Sequence, residues 1–119
     1  MSIKIQDSEL RIMNLLWKRG DMTAKQISDV LNMEIGWNIN TTYTLINRLI
    51  TKGAIRRQEP KFTCHALITE KENQRSETDE FIKKLYGGSV SLLFTSLIED
   101  NQLSQNQLNE LKQYIDERI

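Results

Sequence analysis

Several residue types are nearly absent from this 119-residue chain, which has one cysteine, one histidine, one proline and five glycines. Its sixteen Lys and Arg balance sixteen Asp and Glu, for a net charge of zero. The single cysteine, Cys64, excludes an intrachain disulfide, and a reducing cytoplasm is the expected compartment. The single histidine, His65, adjoins that cysteine on an expected strand. Successive strand residues point to opposite faces, so the two do not converge on a metal, and neither metal nor cofactor is expected. Zero net charge excludes a molecule that is basic all over and binds any polyanion. No apolar run approaches the ~20 residues needed to span a bilayer, so no membrane insertion is expected. The start, Met1 to Asp7, lacks the apolar stretch of a secretion signal. A nucleophile elbow, P-loop, HExxH motif and dinucleotide fingerprint are all missing, so an enzyme is not expected.

What is present is unevenly placed. A hydrophobic fraction of 39% and a charged fraction of 27% are those of a globular protein, sized for one domain or one domain plus an oligomerisation arm. Between Asn40 and Lys61 five cations face Glu59 alone, a local charge of +4, whereas Glu99 to Ile119 carries −3. A basic centre and an acidic tail suit a DNA-facing module joined to a part that faces away.

The pattern predicts a mainly α-helical fold with a small β-wing. A winged helix-turn-helix domain over residues 1–70 is followed by a helical dimerisation region over 71–119. Leu10, Met13, Leu16 and Trp17 place a first helix over about Ser8 to Arg19, capped by Ser8 or Asp7 and ended by Gly20. Met22-Thr23 reads as a short strand or extended link. Thr23-Ala24-Lys25-Gln26 is a capping box opening a second helix with Ile27, Val30 and Leu31 inside. Asn40 is the candidate cap of a third helix, ended by Gly53. Strands over about Ala54 to Glu59 and Lys61 to Leu67 follow, with Pro60-Lys61 in the turn.

The stretch Asn40 to Leu67 carries the chemistry. One side of the third helix is apolar, with Leu45, Ile46, Leu49 and Ile50. The other offers Thr41, Tyr43, Thr44, Asn47 and Arg48, side chains that hydrogen-bond to base edges or phosphates. The candidate DNA contacts are Thr41, Thr42, Tyr43, Thr44 and Asn47 near the bases, with Arg48 and Lys52 further along the helix on the backbone. Arg56, Arg57 and Lys61 are the candidate phosphate contacts of the wing, joined by the free N–H groups near Thr23 to Lys25. Each has a rival role. Thr41 can serve as a cap, Tyr43 can pack on the second helix, and Arg48 can pair with Glu9 or Asp29. Arg56 and Arg57 alternate, so one of them faces away. Trp17 and Trp37 read as packing.

Thr69-Glu70-Lys71-Glu72 opens a fourth helix that Gly87-Gly88 breaks. A fifth, from about Ser89 to Glu99, holds more apolar residues than one helix face needs. Ser104 to Gln107 opens a sixth. The expected homodimer seam comprises Leu85, Val90, Leu93, Phe94, Leu97, Leu108, Leu111 and Ile115.

These residues resemble the BlaI/MecI/CopY group of bacterial winged-helix repressors, the penicillinase repressor family. The likeness rests on Glu9 to Trp17, Asn40 to Leu49, Lys52-Gly53-Ala54-Ile55, Lys61 to Cys64, Lys84 to Ser89 and Leu103 to Leu111, in that order, over nearly the whole chain. It implies a homodimer on an inverted-repeat double-stranded DNA operator, blocking transcription. It also implies release through a membrane sensor peptidase that leads to repressor cleavage, or through copper. Two departures matter. Copper-responsive members carry a cysteine-rich tail, and this chain has no cysteine beyond Cys64, so that route is not expected. Cleaved members are cut at an Asn-Phe bond, and the matching positions here are Ser96-Leu97. A ligand- or metal-responsive regulator of the same fold and a winged-helix protein–protein adaptor are the alternative readings.

Overall fold

The computed structural model describes residues 3–119, and its elements follow from local signals in the sequence. Helix α1 spans Asp7–Arg19 and buries Ile12, Met13, Leu15 and Leu16 on one face. Its cap is Gln6 rather than Ser8 or Asp7, because Glu9 reaches back to accept the Gln6 backbone N–H at 2.8 Å. Strand β1, Met22–Thr23, leads directly into helix α2, Ala24–Ile35. The expected capping box forms, with Thr23 Oγ1 accepting the Gln26 N–H at 3.1 Å and Gln26 Oε1 accepting the Thr23 N–H at 2.9 Å.

Helix α3 spans Ile39–Lys52, and its cap is Asn38, whose side chain accepts the Thr41 N–H at 2.9 Å. Asn38 and Asn40 are equally good caps by residue type. The earlier one is used, which leaves Asn40 exposed in the first turn. Gly53 ends α3 in the left-handed region at φ 84°, a conformation glycine adopts without steric penalty, and turns the chain into the wing.

Strands β2, Ile55–Gln58, and β3, Thr63–Ala66, pair antiparallel, and β1 adds to the other side of β3, giving the order β1-β3-β2. Both wing strands are shorter than the sequence suggests, so Lys61 lies in the turn. Cys64, paired with Met22 on one side and Arg57 on the other, is fully buried. The core unites Ile12, Met13 and Leu16 of α1, Ile27 and Leu31 of α2, and Leu45, Ile46 and Leu49 of α3 with Ile55 and Cys64 of the sheet. Trp17 Nε1 donates to the Ile68 carbonyl at 2.9 Å, tying α1 to the segment after β3.

Three further helices complete the chain: α4 at Glu70–Tyr86, α5 at Val90–Glu99 and α6 at Gln105–Asp116. The chain divides into two compact units between Ser76 and Glu77, within α4. The caps of α5 and α6 are Ser89 and Ser104, and the latter forms the expected capping box with Gln107. Neither α5 nor α6 contains a buried residue. Among the described residues, no helix is long and apolar enough to cross a membrane.

Candidate nucleic-acid interface

Helix α3 is amphipathic with a sharp division. Thr42, Leu45, Ile46 and Leu49 are buried, and Asn40, Thr41, Thr44, Asn47 and Arg48 are exposed. Helical spacing of three and four residues puts Thr41, Thr44 and Arg48 in one row. This row lines a shallow groove with Ser8, Trp37, Asn38, Asn40 and Leu45. The groove therefore lies between the start of α1 and the outward face of α3. Its exposed side chains are hydroxyls, carboxamides and a guanidinium, the groups that read base edges and hold phosphates. Arg48 pairs with neither acid proposed for it, because Glu9 binds Lys52 and Asp29 binds Lys25.

Thr42 leaves the set of contact residues. It is fully buried, and its hydroxyl has no hydrogen-bond partner. The spacing 42, 45, 46, 49 is the inner stripe of the helix, and the polar residue type at its first position concealed this. Lys52 also leaves the set. Its ammonium lies 2.6 Å from Oε1 of the fully buried Glu9 and donates to the Lys4 carbonyl at 2.8 Å. A buried carboxylate is tolerated only when paired and hydrogen-bonded, so this lysine serves the core rather than a phosphate.

Tyr43 is half-buried rather than exposed; it packs against the core that includes α2, and also against the wing. Its ring meets Phe62 edge-on, with centroids 5.6 Å apart and planes at 78°. Such pairs contribute about 0.5–1.5 kcal/mol beyond burial. The Arg57 guanidinium lies over the same Phe62 ring, 3.6 Å from its centroid, and is also paired with Glu59. Arg57 is thus held against the wing, although it is exposed, as Arg56 and Lys61 are; neither wing arginine faces inward. Phe62 has φ 52°, in the left-handed region that costs a bulky side chain about 1–2 kcal/mol.

Three other titratable groups of the first unit have defined surroundings. Lys25, at the start of α2, is tied to Asp29 at 2.9 Å, and that hydrogen bond and charge raise its pKa above 10.5. His65 Nδ1 lies 2.7 Å from Asp21 Oδ1, linking the central strand to the residue before β1. Burial pushes the Cys64 thiol up to about 11, partly offset by the nearby Arg57 charge. Among the described residues no cluster of three or more His, Cys, Asp or Glu is placed to hold a metal.

Sequence reasoning missed Ser8, Asn38 and Asn40 as members of the groove. Asn40 was assigned to the cap, and Ser8 is brought to α3 only by tertiary packing. In the second unit Leu85, Val90, Phe94, Leu111 and Ile115 of the expected seam are exposed, and Leu93, Leu97 and Leu108 are half-buried. Leu92, Ile98 and Tyr114 are exposed apolar residues that the expected seam omits.

Comparison with known proteins agrees with this fold. The chain is 29% identical to the methicillin resistance regulatory protein MecI of Staphylococcus aureus over 117 residues, covering 97% of this chain and 95% of that protein. It is 28% identical to the penicillinase repressor of Bacillus licheniformis over 116 residues, covering 96% and 91%. The solution structure of the DNA-binding domain of the repressor BlaI superposes with a TM-score of 0.55 at 28% identity, over 59% of this chain and 88% of that one. The solution structure of monomeric Bacillus licheniformis BlaI in complex with the blaP half-operator gives a TM-score of 0.52 at 28% identity, over 60% and 90%. Both likenesses confirm a winged helix. The model of the penicillinase repressor family matches residues 5–117. With sequence, fold and family model in agreement, the chain belongs to the penicillinase repressor family, a family of transcriptional repressors and not of enzymes.

Proposed function

We propose that this protein is a dimeric, sequence-specific repressor that lays α3 in the major groove of an inverted-repeat operator. The observation that carries this reading is the division of α3 into a fully packed inner face and an outer face of exposed hydroxyl, carboxamide and guanidinium groups. A helix of this width fits the major groove of B-DNA. Asn40, Thr41, Thr44 and Asn47 take the base edges, Tyr43 takes the sugar-phosphate at the rim, and Arg48, Arg56 and Lys61 take phosphates. Arg57 joins them only on leaving Glu59. A relative of similar fold bound to a half-operator supports this docking.

The dimer is supported by α5, six of whose ten residues are large and apolar and none of which is buried. Leu85, Val90, Phe94, Leu111 and Ile115, with Leu92, Ile98 and Tyr114, form the seam, and a symmetric pair buries them on both copies. Two α3 helices in such a pair read half-sites about one turn apart or a multiple of it. Release by cleavage, through a sensor peptidase, falls at Ser96-Leu97 in the body of α5. A protease must unwind α5 to cut there, and the cut splits the seam, leaving Leu85, Val90, Leu92 and Phe94 on the DNA-binding fragment and removing Ile98, Leu111, Tyr114 and Ile115.

The test is a footprint of the purified protein on DNA upstream of its own gene, at a salt concentration that weakens non-specific contacts. A protected inverted repeat is the expected result. No protection at concentrations that coat random DNA would reject operator binding and leave the adaptor reading.

A further inference from the structure

Phe62 joins three elements, two of which, α3 and the wing, meet DNA in the reading above. Among the described non-glycine residues only Phe62 and Asn101 have positive φ. Asparagine tolerates that region, whereas a large aromatic residue there is an outlier. The left-handed turn directs the Phe62 carbonyl at α2, where it accepts the Ala24 N–H at 2.9 Å. Its ring lies between the edge-on Tyr43 of α3 and the guanidinium of Arg57 on β2. The next residue, Thr63, pairs with Thr23 of β1 and Gln58 of β2 at once. One strained residue therefore links the start of α2, the exposed half of α3 and the wing.

We infer that Phe62 is a positioning residue for DNA specificity: by holding Tyr43 and Arg57 on its ring, it fixes the wing relative to the base-reading face of α3. It acts through those two side chains, not by touching DNA. The wing's phosphate contacts set where the protein sits on the duplex, and α3 reads bases only if that placement is in register. A loose wing keeps the same number of cations but lets the register wander. Specificity then falls while non-specific affinity and its salt dependence, which count cations, stay the same.

The inference rests on the DNA-binding reading, and its test separates the two. The wild-type full-length protein selects duplexes from a randomised pool. Wild type, Phe62→Leu, Phe62→Gly and Phe62→Tyr are then titrated against an enriched duplex and a scrambled one of equal length. Phe62→Leu is expected to lower the ratio of the two affinities about tenfold, the scale of one misplaced base contact, with an unchanged salt slope on the scrambled duplex. Phe62→Tyr keeps the ring and restores the ratio. Phe62→Gly suits the left-handed backbone and so guards against a variant that merely fails to fold, and it too is expected to lose the ratio. A ratio in Phe62→Leu and Phe62→Gly equal to wild type overturns the inference and leaves DNA binding standing. A pool with no enrichment overturns the DNA-binding reading and the inference with it.

Discussion

Replacing Lys52 with methionine separates two roles for one residue. The change keeps the length of the side chain and removes its charge, leaving Glu9 fully buried with one oxygen bound to the Gln6 N–H and the other without a partner. Breaking a buried ion pair by removing one partner costs about 3–5 kcal/mol. The Lys52 side chain is 27% exposed, so water partly screens the pair and the lower end applies, about 3 kcal/mol. For a domain of this size each kcal/mol lowers the melting temperature by about 4–8 °C, so a fall of about 12–24 °C is expected. Thermal and urea unfolding followed by circular dichroism at neutral pH measures it. Adding Glu9→Gln to Lys52→Met removes the stranded charge and should restore more than half of the loss. DNA titrations at several salt concentrations give the contrasting result. A phosphate-binding lysine would lower the salt slope by about one on removal, with little change in stability. A melting shift under ~4 °C, equivalent to less than about 1 kcal/mol, combined with a shallower salt slope, would refute the assignment of Lys52 to the core.

Other substitutions test neighbouring assignments. Thr42→Val exchanges an unpartnered buried hydroxyl for a methyl of similar size and should stabilise the protein by about 1 kcal/mol in urea unfolding, with unchanged DNA affinity; weaker DNA binding would return Thr42 to the interface. The Cys64 thiol has a folded pKa of about 11 against 9.0 unfolded, so its neutral form is favoured by folding. That stabilisation is complete below pH 9 and lost as pH rises through 11, and stability of wild type relative to Cys64→Ala should fall across that window. Rapid modification of the native thiol at neutral pH would contradict its burial. Phe94→Asp places a charge on the exposed apolar face of α5 and should yield monomers in sedimentation with weakened operator binding; an intact dimer would move the seam off this face.

The amino-acid sequence determined what local chemistry can determine. The capping boxes at Thr23 and Ser104, the stop at Gly53 and the spacing of Leu45, Ile46 and Leu49 required no distant partner, and the structure reproduces them. The outward face of α3 was legible for the same reason, since helical geometry converts spacing into direction. Spacing also placed Thr42 and Lys52 near the inner stripe, but their polar side chains argued for the surface. The choice between spacing and residue type was made by packing. Glu9 is 43 residues from Lys52 in sequence, and only the approach of α1 to the end of α3 turns that lysine inward. The Asn38 cap, the place of Ser8 beside α3, and the stack of Tyr43, Phe62 and Arg57 were likewise decided in three dimensions. A periodicity records which way a side chain points. Which charge, ring or hydroxyl it meets there depends on elements that sequence order keeps apart, and that meeting decides whether a polar residue serves the core or the surface.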